Sequence, residues 1–382
     1  MKRILFVAPF PPPYSGPESS AKMFIEAPLN EHFEIIPFNI SFRKSARDRG
    51  KIGIYIVFIF LRFISGLIIR IVRYRPEIVY YYVTATKLGW IFKDIWCILI
   101  SKFLFRKVII HMRAGHFRRN YAEMSWLYRK LVRFACSRVD LAIVQSDTLK
   151  DQFKDLVQPE KIEVVPNMID TIKYAPDPSI NKENEIFFMG FLSKAKGYTD
   201  LLKALPIVVE AHNDIKFSIA GTKLKKERND ITNFLTGERL TWEDPEEVYN
   251  AYIKGKFENN FTYLGVINET EKIAQFRKSL MFVLPSYSEG FSMSVLEAMS
   301  TGTPIIASPV GALSDIIENN SNGILIEPGN PKELGQAIIL LLEDINLREK
   351  ISKNSRSLVL EMFSKEIVSQ KYVELFKKVL DT

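Results

Sequence analysis

Residues 282–307 read FVLPSYSEGFSMSVLEAMSTGTPIIA: an apolar strand, a polar Gly-containing turn, a short helical stretch and a second apolar strand. Two carboxylates lie inside it, Glu289 in the turn and Glu297 about a turn and a half into the helix. Both face a ligand lying over the helix N-terminus, where unpaired backbone N–H groups and a partial positive charge suit a diphosphate. A carboxylate among phosphate binders works against them unless it holds hydroxyls. The pattern therefore points to a hexose on Glu289, a ribose on Glu297 and a pyrophosphate between them on the amides of Gly290 to Ser294. Two Glu residues eight apart also fit a surface helix that they cap and solvate, and the sequence around them has to decide.

Working outward, apolar runs alternate with helical patterns along the whole chain. ILFVAP (4–9), EIIPFNI (34–40), EIVYYYV (77–83), KVIIHM (107–112), DLAIVQS (140–146) and IEVVPN (162–167) predict six strands separated by helices. That is the pattern of a doubly wound parallel sheet, whose strands are buried on both faces and read as near-continuous apolar runs. After a polar stretch at 170–184 the series restarts with EIFFMG (185–190), KFSIAG (216–221), FTYLG (261–265), MFVLPS (281–286), PIIAS (304–308) and GILIEP (323–328). The expectation is an α/β fold of two Rossmann-like doubly wound parallel-sheet domains facing each other across a cleft, lined by the loops after these strands. Residues 221–260 form a polar insertion with two expected helices. Leu334 to Leu342 and Phe363 to Leu380 are helical by period, and the last is expected to cross back onto the first domain.

Length and composition fit this reading. At 382 residues the chain exceeds one ordinary domain, and 47% hydrophobic residues let two domains bury cores. Cys97 and Cys136 are the only cysteines, without metal-ligand spacing, which excludes a disulfide framework or zinc module. The opening MKRILFVAPFPPP has an apolar run too short for a signal peptide, so it reads as a first buried strand and a cytosolic setting is expected.

The net charge of +8 is unevenly spread. Residues 1–174 hold 28 Lys+Arg against 15 Asp+Glu, and the remainder 24 against 29, so the first half carries +13 and the second −5. From Ser101 to Arg138 there are ten basic residues and one acid, Glu123. Such a half faces an anionic partner, either nucleic acid or an anionic membrane surface. The sequence before it favours membrane: Ile52 to Val72 is almost wholly apolar, and Lys51, Arg62 and Arg73 recur every eleven residues on one helical face. Arg62 in the middle argues against a spanning helix. An interfacial helix and an ordinary crossover helix packed on the sheet are the two readings left open.

With PPPYSGPESSAK after the first strand, then DLAIVQSDTLKDQF, VVPNMID, FFMGFLSKAKGYTDLLKAL, FTYLGV, SEGFSMSVLEAMSTGTPIIASPVGALSDII and NGILIEPG in that order, the chain resembles glycosyltransferase family 4, the glycosyl transferases group 1. The family comprises retaining enzymes of the GT-B fold, and the likeness covers nearly the whole chain. The resemblance implies that residues 1–170 bind acceptor, with the helix at about 364–382 packing back on them, and that residues 171–363 bind a nucleotide-sugar. Lys196 would contact the donor pyrophosphate as a point charge on the leaving group. Glu289 would hold donor-sugar hydroxyls beside the amides of Gly290, Phe291 and Ser292. Ser294 and Val295 would lie near phosphate and ribose, Glu297 would take the ribose diol, and Val266 would offer its backbone to the base. Gly16 would let the backbone approach sugar or phosphate closely. His111 either lines the donor sugar or is a packed strand-end residue.

Two departures stand out. The family's Gly-Arg pair reads Gly190-Phe191 here, and its His-x-His-Gly pattern reads HMRAG, placing Arg113 where the second histidine belongs. Arg113 either replaces the missing phosphate-binding charge or extends the basic acceptor face with Arg118 and Arg119. No metal or other cofactor is implied, and front-face retaining transfer is expected because no acid in the first half is placed as a nucleophile. The expected partners are a nucleotide-sugar donor, chiefly a UDP-hexose, and a saccharide or lipid-linked acceptor in surface polysaccharide or lipopolysaccharide assembly, at the inner face of the cell membrane and with no nucleic acid. The alternatives are a nucleotide-sugar epimerase on the same scaffold, and a non-catalytic membrane-associated assembly subunit.

Overall fold

The structure, a computed structural model, describes residues 1–12, 16–41, 54–223 and 232–382, the side chains of residues 54–57 apart. Lys51, the first member of the eleven-residue basic line, lies outside the described residues. The chain forms two compact units, Met1–Met168 with Phe363–Thr382, and Ile169–Met362.

In the first unit, β1 (Lys2–Ala8), β2 (Phe33–Asn39), β3 (Ile78–Val83), β4 (Lys107–Met112), β5 (Leu141–Val144) and β6 (Ile162–Val164) make one parallel sheet in the order β2-β1-β3-β4-β5-β6. Among the described residues up to Met168, the helices of eight residues or more are α1 (Gly16–Glu26), α2 (Ile54–Tyr74), α3 (Ile95–Phe103) and α4 (Trp126–Cys136). The crossovers through α2, α3 and α4 all step the same way across the sheet. Because parallel crossovers are right-handed, these three helices share one face, while α1, which steps the other way, covers the opposite face. Consistent with that, α2 packs on α3 and α3 on α4.

The second unit repeats the plan. Its strands are β7 (Glu183–Met189), β8 (Lys216–Ala220), β9 (Phe261–Gly265), β10 (Ser279–Leu284), β11 (Ile305–Ala307) and β12 (Ile324–Leu325), parallel in the order β12-β11-β10-β7-β8-β9. Among its described residues the helices of eight residues or more are α5 (Tyr198–Ala211), α6 (Pro245–Tyr252), α7 (Glu269–Lys278), α8 (Met293–Ser300), α9 (Pro331–Glu343) and α10 (Ile345–Met362). Residues 224–231 of the insertion lie outside the described set; its described part holds α6 and a short 3-10 turn at Glu258–Asn260. The 18-residue α10 goes unannounced by periodicity, because its buried stripe is Ile351, Ser355, Val359, with a serine at the centre.

The chain then returns to the first unit with α11 (Lys365–Asp381). Val368, Tyr372, Val373, Phe376 and Val379 recur at helical spacing and are buried among Phe6, Phe24, Phe33 and Tyr80 on the α1 face of the sheet. Ring centroids lie 5.1 Å apart for Phe24–Tyr372 and 5.7 Å for Phe33–Phe376. Phe376 is fully buried there. Phe376→Ala should destabilise the first unit by about 3–5 kcal/mol, the range for truncating a core aromatic. The denaturation midpoint of that unit, followed by hydrogen exchange, checks it; a loss below about 1 kcal/mol would mean that α11 does not hold the unit together.

Candidate active site

In the second unit the chain leaves β7 toward β8 and β9, then jumps back to β10 on the other side of β7. Adjacent C-terminal strand ends at such a reversal diverge and leave room for a ligand. The loop after β7 carries Lys196, and the loop after β10 carries Glu289 and leads into α8. Two glycines bring these loops together. Gly197 has φ +71°, and a Cβ there would lie 2.0 Å from the carbonyl oxygen of Pro285. Gly311 has φ +59°, and its Cβ would lie 2.3 Å from the carbonyl oxygen of Glu289. Neither close approach tolerates a side chain. Tyr287 N donates to the Ala195 carbonyl at 3.0 Å, and Ala312 N to the Gly290 carbonyl at 2.8 Å.

This frame sets Lys196 Nζ 2.6 Å from Glu289 Oε1, which also accepts from Ser286 Oγ at 2.7 Å. Glu289 is 8% exposed, so its charge depends on these two donors. Eight residues on, Glu297 is also buried and accepts from Lys272 Nζ at 2.6 Å and Tyr174 Oη at 3.2 Å. Burial pushes the Glu297 carboxyl above the usual carboxylate range, against the opposing pull of Lys272 and Tyr174. Tyr174 in turn lies 3.3 Å from Glu269, and burial together with the two acids raises its phenol. Each Glu of the pair thus has its own lysine. Ser286, Lys272 and Tyr174 went unread in the sequence because nothing in the local pattern links them to the acids; Gly311 sits in the quoted SPVGALSDII segment.

The remaining residues fall as follows. Ser292 precedes α8 with extended backbone, and its Oγ lies 3.0 Å from Ser294 Oγ. Phe291 is buried, as is the Val295 side chain, so Val295 has only backbone to offer a ligand. Val266 follows β9 and is 80% exposed. Gly16 opens α1 in the first unit, with nothing within 4 Å of a Cβ placed there. Its own backbone environment therefore does not demand glycine. His111, on β4, is fully buried, with Nδ1 2.7 Å from Tyr80 Oη and 3.5 Å from Tyr372 Oη, and Nε2 unpartnered among the described residues. Burial, with a smaller push from Arg113, drives its pKa well down, so the ring is neutral. Arg113 hydrogen-bonds Asn167 and Tyr82 and stacks over the Tyr82 ring at 4.8 Å.

Residues 48–173 match the model of Glycosyltransferase Family 4, and residues 171–358 that of Glycosyl transferases group 1. The chain belongs to glycosyltransferase family 4. An uncharacterized glycosyltransferase of Methanocaldococcus jannaschii, MJ1607, is 30% identical over 199 residues, 52% of this chain and 46% of its own length. The N,N'-diacetylbacillosaminyl-diphospho-undecaprenol alpha-1,3-N-acetylgalactosaminyltransferase of Campylobacter jejuni is 36% identical over 118 residues, 31% of each chain. The match thus spans less than half the length of both relatives. The crystal structure of Anabaena Alr3699/HepE in complex with UDP superposes with a TM-score of 0.72, covering 99% of this chain and 100% of that one at 17% identity, a likeness of fold. The fold of this family 4 member is GT-B.

Within the family frame, the insertion acquires a structural role. Glu243 accepts from Lys194 Nζ at 2.7 Å and Lys203 Nζ at 2.9 Å, bracing the turn that presents Lys196. Burial pushes the Glu243 carboxyl up, but the two lysine hydrogen bonds outweigh it and hold it at about 2, below its usual 4.5. A depressed carboxyl stabilises the fold above its unfolded pKa and loses that contribution as pH falls through its folded one. Glu243→Gln should therefore flatten the fall in stability between pH 4.5 and about 2. Thermal unfolding across that window measures it; an acid limb identical to wild type would show that the brace carries no stability.

Proposed function

We propose that this chain transfers a hexosyl unit, with retention of anomeric configuration, from a UDP-sugar to a saccharide or lipid-linked saccharide. The observation that carries the reading is the buried Glu289 held by Lys196 at the β7/β10 reversal. A donor exchanges one pair for two contacts: the diphosphate takes Lys196 and the sugar hydroxyls take Glu289. Glu297 and the loop at Val266 hold the nucleoside, and the amides from Gly290 to Ser294 face the diphosphate. Support for UDP comes from Alr3699/HepE, crystallised with it. Support for a lipid-linked acceptor comes from the Campylobacter relative, named for a diphospho-undecaprenol substrate.

Departure of the nucleoside diphosphate breaks the anomeric C–O bond. Lys196 and the amides at the start of α8 stabilise the charge left on the phosphate. The acceptor hydroxyl attacks on the face the phosphate leaves, through an oxocarbenium-like state, and its proton passes to the departing phosphate oxygen. No metal step is invoked. Residues 1–170 bind the acceptor and contribute Gly16, His111 and Arg113, the last as a positive charge that Phe191 cannot supply. The acceptor is met at the cytoplasmic face of the cell membrane in surface polysaccharide or lipopolysaccharide assembly.

Glu289→Ala should lower kcat for donor hydrolysis or transfer by roughly 10²-fold with a smaller effect on nucleotide affinity, since it removes contacts that strengthen in the transition state. Glu297→Ala should chiefly weaken donor binding, seen as a raised KM. Steady-state kinetics with UDP-hexoses that shift thermal stability would separate them. Matching behaviour of the two variants would overturn the division of roles.

A further inference from the structure

The helical layer α2–α3–α4 of the first unit has no acidic residue in any of its three helices, against seven basic ones; Lys102 pairs with Asp140 and Arg70 lies over Phe38, while Arg62, Arg73, Arg129, Lys130 and Arg133 are exposed. Its outer side is also apolar. Of 24 large apolar side chains exposed among the described residues, five lie on α2, two on α3, four on α4 and one is Phe105, just after α3, so half belong to this layer. On α4, Val132, Ala135 and Cys136 are buried, yet Leu127, Leu131 and Phe134, at i, i+4 and i+7, form a second apolar stripe toward solvent. A helix needs one such face for its core; the second calls for another partner. Cations lie over its exposed rings, Lys130 Nζ 4.7 Å from the centroid of Trp126 and the Arg138 guanidinium 4.8 Å from that of Phe134. Apolar bodies with charged tips alongside suit the boundary between acyl chains and headgroups.

Phe105 adds an independent observation. At the C-terminus of α3, Phe105 N donates to the Lys102 carbonyl at 3.0 Å and Arg106 N to the Ser101 carbonyl at 2.9 Å. This is a Schellman motif, whose left-handed position is ordinarily glycine. Here that position is a phenylalanine with φ +59° and 94% exposure. A bulky residue in the left-handed region is strained and, in water, this one recovers nothing by packing.

We propose that the outer face of the α2–α3–α4 layer docks on an anionic lipid bilayer, with Phe105 inserted as an apolar anchor. Charge selects the occupant. A second copy on this face would set five exposed basic residues against five, whereas an acidic bilayer offers complementary charge and an apolar interior. The attachment is interfacial: among the described residues no helix is long and apolar enough to cross a membrane, and Arg62 sits mid-way along α2. The inference rests on the reading of the acceptor as membrane-borne, and its test keeps the two apart.

The experiment is co-sedimentation of the full chain with vesicles of phosphatidylcholine alone or with about one third phosphatidylglycerol, beside thermal unfolding with and without UDP. The wild type should bind the acidic vesicles and release as salt rises. Phe105→Gly should melt at or above wild type, since glycine relieves the left-handed strain, yet bind acidic vesicles about 10-fold more weakly. Each charge removed by Arg129→Gln, Lys130→Gln and Arg133→Gln should weaken binding about five-fold. Unchanged vesicle binding by Phe105→Gly, equal binding to neutral vesicles, or a dimer broken by Leu131→Ser in place of vesicle binding would each overturn the proposal. A UDP-dependent rise in melting temperature without vesicle binding sinks the docking surface and leaves the glycosyl-transfer reading standing; vesicle binding with no response to UDP does the reverse.

Discussion

The ion pair between Lys196 and Glu289, 2.6 Å long with the carboxylate almost wholly out of water, is the constraint on which the second unit is arranged. A buried carboxylate is tolerated only with its donors in place, and removing one partner of such a pair typically costs about 3–5 kcal/mol. The nearby backbone serves that requirement. Gly197 lets the lysine turn press on the end of β10, Gly311 lets the next loop close over the Glu289 carbonyl, and Ser286 supplies a second donor. On the proposed reading the pair also imposes an order on binding. A diphosphate drawing Lys196 away leaves Glu289 short of a donor unless sugar hydroxyls arrive with it, so a complete nucleotide-sugar satisfies both groups.

The second pair, Glu297 with Lys272, is built differently. Its acid sits on a helix rather than in a turn, and Tyr174 bridges it to Glu269. Burial raises the Glu297 carboxyl, so its charge is held by its neighbours rather than by solvent. Two acids eight residues apart thereby occupy distinct electrostatic settings, one facing a point charge on a loop and the other enclosed by a lysine and a phenol.

Much of this was legible in the sequence. All twelve strands were, because a parallel sheet covered on both faces demands continuous apolar runs such as ILFVAP and KVIIHM, and those runs survive without any knowledge of partners. Glu289 and Glu297 stood out because strand, turn and helix fix where each lies relative to a strand end, whereas Lys196 was reached only through the family resemblance. What failed was non-local or atypical. Lys272 and Tyr174 lie 25 and 123 residues from Glu297 and reach it only through the sheet order. Helix α10 hid behind Ser355. The strain at Phe105 lies in a backbone angle that residue type does not announce. His111, left open between ligand and packing, is buried against Tyr80 and Tyr372.

The most direct test of the central pair is the affinity of UDP, which carries the diphosphate but no sugar, measured by titration calorimetry for wild type, Lys196→Ala, Glu289→Ala and the double variant. If the pair is the donor site, Lys196→Ala weakens UDP by about 10-fold or more, the scale of a charge-assisted contact. Glu289→Ala, which frees the lysine, then binds UDP at least as tightly as wild type. Undiminished UDP affinity in Lys196→Ala, or an equal loss in Glu289→Ala, would contradict the account.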